Sequence, residues 1–101
     1  MILARVVGNV VSTHKDPLVA DVKLLLVDRF DPQKAKETGE TLVAMDSVGA
    51  GPGDVVLIVA GSSARMTQIT TGRPCDAAIM AIVETVAMDG DVTYSKSEEG
   101  A

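Results

Sequence analysis

The chain has no tryptophan, one phenylalanine (Phe30), one tyrosine (Tyr94), one histidine (His14) and one cysteine (Cys75) among its 101 residues. Each scarcity excludes something. A single cysteine cannot form an internal disulfide, so nothing implies an oxidising compartment. One His and one Cys, far apart in the chain, do not make a metal site, which needs a cluster of such ligands. Two aromatic residues are a poor supply of stacking platforms for single-stranded nucleic acid. Basic residues are also short, with nine Lys and Arg against fourteen Asp and Glu and a net charge of −5. The isoelectric point is near 4.6. A phosphate backbone is bound chiefly by Lys and Arg through counterion release, and no basic stripe is visible. Long apolar runs are missing too. The longest, residues 55–60 and 77–83, fall far short of the ~18 residues of a membrane span. Arg5 interrupts the N-terminus, and no secretory h-region with a small-residue cleavage site follows.

What is present is aliphatic. The chain is 47% hydrophobic, with a mean hydropathy of +0.26, which excludes a disordered chain. Its length fits one domain, burying roughly 64% of the unfolded surface. The core must be built from Val, Ile, Leu, Met and Ala.

Strand signals dominate. Residues 1–13 read as a long strand in which Gly8 marks a bulge or bend. Residues 14–17 read as a turn closed by Pro17. A second strand is expected over 22–30, a polar loop over 31–39 and a third strand over 41–48. A Gly/Pro turn at 49–54 leads into an unbroken β-branched run at 55–60. Residues 61–65 can hold one helical turn with Ser62 or Ser63 as N-cap, and 70–74 a loop. Residues 77–88 fit a helical face at Ile79, Ile82, Val83 and Val86, but Ile and Val dominate and turns flank them, so they are predicted as a strand. Asp89-Gly90 is a hairpin signal before a last short strand at 92–95. The expected domain spans 1–95, with a flexible tail at 96–101.

Five or six short strands with regularly spaced turns predict an all-β barrel or sandwich. Strands of a lone antiparallel barrel should alternate, because only one face is buried. Here residues 24–27, 55–59 and 79–83 are apolar on both faces. If a chain this short has no second layer, neighbouring subunits must cover the outer face. The pattern therefore predicts an obligate homo-oligomer.

No catalytic constellation stands out. His14 lies in a predicted turn with no nucleophile beside it. Cys75 reads as a small buried hydrophobe. The acid pairs Asp28 and Asp31, Asp89 and Asp91, and Glu98 and Glu99 lie at turns or the tail. The 49–53 segment is not a P-loop, since Asp54 stands where a Lys is required and a strand follows. A tight turn using left-handed Gly is the better reading. Residues 61–65 offer two hydroxyls and an Arg that could line a ligand site or pore, or simply a cap and a surface Arg.

Two segments, Val48-Gly49-Ala50-Gly51-x-Gly53-Asp54-x-Val56-Leu57 and Gly61-Ser62-Ser63-Ala64-Arg65, resemble the vertex proteins of bacterial microcompartments, the ethanolamine-utilisation and carboxysome pentamer family. MILARVVGNVVST at 1–13, KLLLV at 23–27 and PCDAAIMAIVETV at 74–86 are similar to that family's opening, second and final long strands. The resemblance covers residues 1–95. It implies a small OB-like antiparallel barrel of five to six strands with one short helical turn, assembled as a cyclic homopentamer. It implies no enzyme activity and no cofactor. The implied role is structural: capping the five-fold vertices of a polyhedral shell in the cytoplasm, beside hexameric or trimeric shell proteins. It suggests that Gly49, Gly51, Gly53, Gly61, Ser62, Ser63, Ala64 and Arg65 lie at subunit contacts or near the central axis. Rival readings are an OB-fold binder of single-stranded nucleic acid and a small-ligand barrel using the 49–53 turn and Arg65. An enzyme ranks last.

Overall fold

The computed structural model describes residues 1–13 and 15–99. His14 and the predicted tail residues Gly100 and Ala101 lie outside the described residues. Seven strands form: β1 (Ile2–Val10), β2 (Leu24–Asp31), β3 (Lys36–Asp46), β4 (Val55–Ala60), β5 (Ala77–Ile82), β6 (Thr85–Met88) and β7 (Asp91–Ser95). The first five close into a barrel in the order β1-β2-β3-β5-β4, and β6 and β7 make a separate two-stranded sheet. The molecule is all-β, with a 3-10 turn at Gly61–Met66 and a single helical turn at Lys96–Glu99.

Barrel neighbours are antiparallel except β3 and β5, which run parallel through Met45 opposite Ala78 and Asp46 opposite Ile79. Five strands cannot alternate direction all the way round a closed ring. One parallel contact is therefore a geometric necessity.

Gly8 does mark a bulge, since the β1–β2 register shifts between Val6 and Gly8. Two elements differ from the sequence reading. β3 begins at Lys36 and takes in four of the nine residues of the predicted 31–39 loop, while β2 runs on to Asp31. The turn is confined to residues 32–35 because Asp31 Oδ1 accepts from the Gln33 and Lys34 N–H groups, and Ala35 adopts φ 53°. The first half of β3 is exposed apart from the half-buried Glu37, so its polar sequence imitates a loop. The predicted 77–88 strand is two strands. Val83 N–H turns aside to donate to Val55 C=O, and the chain then leaves the barrel to pair with β7.

Three clusters make the core. Ala4, Val6, Leu25, Val27, Ala44, Val56, Ile58 and Ile79 fill the barrel. A second cluster lies on the other side of the wall. Leu24, Met45, Ala78 and Val59 are register partners in a row across four strands, and Val19, Val22, Ala64 and Cys75 cover them. The third joins Val55 and Leu3 to Phe30, Tyr94 and Val86. The chain thus supplies part of the outer layer that the two-faced strands seemed to demand of neighbours. It does not supply all of it: Val7 and Val43 are each 45% exposed, and Leu26 is half-buried.

Candidate functional site

The 49–53 turn closes one end of the barrel. Asp46 ends β3 with its carboxylate almost buried, and its Oδ1 accepts from the Val48 and Ala50 N–H groups at 3.1 and 3.2 Å. Asp54 Oδ2 accepts from Gly51 N–H at 2.9 Å. Gly53 N–H donates to Val6 C=O at 2.9 Å. Gly49 and Gly53 adopt φ of 78° and 86°, the left-handed region where glycine carries no Cβ penalty. These bonds push Ala50, which is fully buried, into the barrel interior. Lys23 Nζ and Arg5 Nη1 cap the Ala50 and Gly53 carbonyls at 3.2 and 2.9 Å. The turn's N–H groups at 48, 50, 51 and 53 are therefore spent inside the chain, beside two carboxylates. With these donors used and two carboxylates adjacent, the turn is ill suited to cradle phosphate.

Gly61–Met66 follows β4 as a 3-10 turn whose cap is Ala60, in extended conformation and with no side-chain bond. The predicted Ser62 or Ser63 cap is therefore replaced: both serines sit within the turn and are exposed. Gly61 has φ 66° and donates its N–H to Asp76 C=O at 2.8 Å. Ala64 alone of these residues is buried, in the outer cluster. Arg65 is exposed. Among the described residues, no carboxylate or carbonyl of the chain forms an ion pair or hydrogen bond with its guanidinium.

Gly53 and Gly61 flank β4 at its two ends. A six-residue strand spans about 20 Å. The structure therefore does not bring the two predicted segments together within one chain. It places one at each end of the barrel.

Sequence reasoning missed the segment that holds the 3-10 turn in place. Thr67 and Thr70 bond reciprocally, each hydroxyl accepting from the other's backbone N–H at 3.1 and 3.3 Å. Thr70, fully buried, donates its hydroxyl to Ala64 C=O at 2.5 Å. Arg73 reaches across to the 16–22 loop, donating to Leu18 C=O and to Asp21 Oδ1. The Thr-x-x-Thr spacing was the available signal. Beside Arg73, Asp21 titrates below the ordinary carboxylate range, chiefly through its hydrogen bond to that guanidinium.

The remaining candidates have structural roles. Cys75 is buried, its thiol donates to Ala77 C=O at 3.2 Å, and burial raises its pKa. A thiol so placed is a poor nucleophile. Among the described residues, no group of three or more His, Cys, Asp and Glu side chains converges. Phe30 and Tyr94 stack edge to face, with centroids 5.7 Å apart, and both are 3% exposed. The only two aromatic rings in the sequence are thus unavailable to stack on a base, which removes the physical support for the nucleic-acid reading.

Comparison with known proteins agrees with this picture. Residues 1–84 match the family model described as ethanolamine utilisation protein EutN/carboxysome. The chain is 41% identical over 99 residues to the carboxysome shell vertex protein CcmL of Nostoc sp. strain PCC 7120, covering 98% of both chains. It is 41% identical over 96 residues to the bacterial microcompartment shell vertex protein EutN of Escherichia coli K12, covering 95% of this chain and 100% of that one. Among solved structures, the GrpN pentameric microcompartment shell protein from Rhodospirillum rubrum superposes with a TM-score of 0.78 at 42% identity, over 87% of this chain and 99% of that one.

Proposed function

Because the chain belongs to the EutN/carboxysome family of shell vertex proteins, we propose that it assembles as a homopentamer and caps the five-fold vertices of a microcompartment shell. It is a structural protein, not an enzyme. The observation that carries this reading is 41% identity to vertex proteins over nearly the full length, joined to the same fold in a pentameric shell protein. Geometry explains the role. Flat hexagonal tiles cannot close a polyhedron, and pentagons at the vertices introduce the curvature that does. A heterologous interface repeated about a five-fold axis closes on itself and stops. In this reading the pentamer sits in the shell within the cytoplasm, and its outer edges meet hexameric or trimeric shell tiles.

Within the ring, Gly61, Ser62, Ser63, Ala64 and Arg65 lie at the contact between neighbours or around the axis. The support is an exposed guanidinium and two exposed hydroxyls, held on a turn that is anchored from behind by Ala64 and Thr70. A guanidinium offers five donors to carbonyls or carboxylates of the next subunit. Gly49, Gly51 and Gly53 enter the same proposal through backbone that remains exposed on the turn at Gly49 and Gly53.

The test is the solution mass of the purified protein by native mass spectrometry. A five-chain species is expected. A stable monomer at micromolar concentration overturns the assembly reading.

A further inference from the structure

We propose that Asp89-Gly90, at the tip of the β6–β7 hairpin, is a site of spontaneous backbone rearrangement. There the aspartyl side chain cyclises onto the next amide, and the chain reopens as an isoaspartyl linkage. The inference stands independently of the ring reading above.

The chemistry needs a carboxyl side chain free to turn, a following nitrogen that nothing shields, and a backbone that can leave its ladder. Asp89 is exposed, and among the described residues no hydrogen bond or ion pair holds its carboxylate. Gly90 is exposed as well, and a Cβ there would meet open space. Among the described residues its N–H donates to no carbonyl. No other aspartate of the sequence precedes a glycine.

The backbone at the tip is lightly held. Met88 and Asp91 close a two-residue turn, in which Asp89 and Gly90 take φ of 52° and 83°, the type I′ pattern. A residue with a Cβ is strained in that left-handed region. The sheet beyond has only two strands, and its register shifts between Val86 and Ala87. A two-stranded sheet is marginal in water without packing. Here the packing is at the base, where Val86 and Tyr94 join the cluster with Phe30 and Val55. The tip is thus the part that opens first, and opening lets the Asp89 peptide rotate until Gly90 N reaches Cγ.

The step balances with water alone. Gly90 N bonds to Cγ of the protonated carboxyl, whose hydroxyl leaves as water with the amide proton, and a succinimide ring forms. Water then adds to one of the two ring carbonyls. Addition at Cγ breaks the new bond and restores aspartate. Addition at the main-chain carbonyl breaks that carbon's bond to Gly90 N, and the chain then runs through Cγ, one methylene longer. Turn type follows loop length, so the longer turn no longer closes the Met88–Asp91 pair. Asp46-Ser47 supplies the contrast. A small residue follows the aspartate there too. Yet Asp46 is 9% exposed, its Oδ1 is held by the Val48 and Ala50 N–H groups, and its backbone pairs with Ile79 in the barrel.

The full chain is aged for weeks at neutral pH in water enriched in heavy oxygen. Each succinimide that hydrolyses takes up one heavy oxygen, whichever product forms, and fragment-ion mass spectrometry places it along the chain. Label is expected at residue 89 about tenfold or more faster than at residue 46, because a buried, paired site opens rarely. Asp89→Glu, which cannot close the same five-membered ring, is expected to abolish it. Aged chains enriched in the isoaspartyl linkage, quantified by methyl transfer from an isoaspartyl methyltransferase, should exchange their amides over residues 85–95 faster than fresh chains, with residues 55–60 still protected. Label at residue 89 no faster than at residue 46 overturns the site, and that comparison needs no variant. Label at residue 89 with unchanged amide exchange overturns the loss of hairpin pairing.

Discussion

Arg5 and Glu37 form an ion pair, Nε to Oε1 at 2.5 Å, that ties β1 to the start of β3. Neither strand pairs with the other in the barrel, so this bridge spans two strands across β2. The same guanidinium lies 5.2 and 5.7 Å from the ring centroids of Phe30 and Tyr94 and donates to Gly53 C=O. One side chain therefore joins the barrel wall, the closing turn and the base of the hairpin. Arg5→Ala is expected to lose about 2–3 kcal/mol of stability in urea unfolding, from the lost cation–π contacts and charged hydrogen bond. Arg5→Lys recovers only part of this, because an ammonium cannot serve the carbonyl, the carboxylate and the rings together.

The closing turn depends on two of its three glycines. A Cβ at Gly53 meets open space, but φ 86° is strained for any L side chain. Gly53→Ala is expected to cost about 1–2 kcal/mol, the price of a left-handed residue with a Cβ. Gly51 has no such φ, and its Cβ would lie 4.0 Å from Asp54 Oδ2. Gly51→Ala should be neutral within about 0.5 kcal/mol. Equal losses at the two positions, read from thermal melts, count against the turn as described.

Arg65→Ala separates folding from assembly. The side chain makes no ion pair or hydrogen bond within the described chain, so the melting curve of the dissociated chain should not move. Truncating an interface Arg weakens association by about 2 kcal/mol or more at each contact. Dilution followed by native mass spectrometry should show the ring dissociating at higher concentration than wild type. An unchanged dissociation profile removes Arg65 from the interface.

The Asp21–Arg73 pair fixes a pH dependence. The folded carboxyl titrates below its ordinary value, so the pair stabilises the chain at neutral pH. That stabilisation is lost in acid, as pH falls from the usual carboxylate range through the depressed folded value. Asp21 is solvent-exposed, so the effect is local. A carboxyl-detected NMR titration should return Asp21 to its ordinary range in Arg73→Ala. Asp21→Asn should remove the acid loosening of the contact between the 16–22 and 67–73 loops, followed by amide exchange.

Much of the fold was legible because its signals were local. β4 is an uninterrupted β-branched run, and the structure returns it with the predicted bounds. Gly8 and Asp89-Gly90 announced a bulge and a hairpin turn, and Asp89 adopts φ 52° there. The 49–53 segment read as a turn, and its bonds to Asp46, Asp54 and Val6 show why. What stayed hidden depended on distant partners. Lys36 to Glu40 read as loop in sequence yet form strand, because β2 pairs with Lys36 and Glu37. Nothing near residue 83 announces that the chain leaves the barrel there. The buried Thr70 hydroxyl gains its meaning from Ala64, and Arg73 from Asp21, more than fifty residues away. That residues 49–53 and 61–65 lie at opposite ends of the barrel follows from β4 standing between them, a deduction the sequence already permitted.

The odd strand number has a mechanical consequence. A hoop of five strands has one joint of the wrong polarity, and here that joint is also the shortest, with only Met45 facing Ala78 and Asp46 facing Ile79. Ser47 buttresses it by donating its hydroxyl to Ile79 C=O. Where the other joints are long ladders, this one is a clasp. Stress applied to the barrel's rim would concentrate there, letting the circumference give at one place while the remaining joints hold their register.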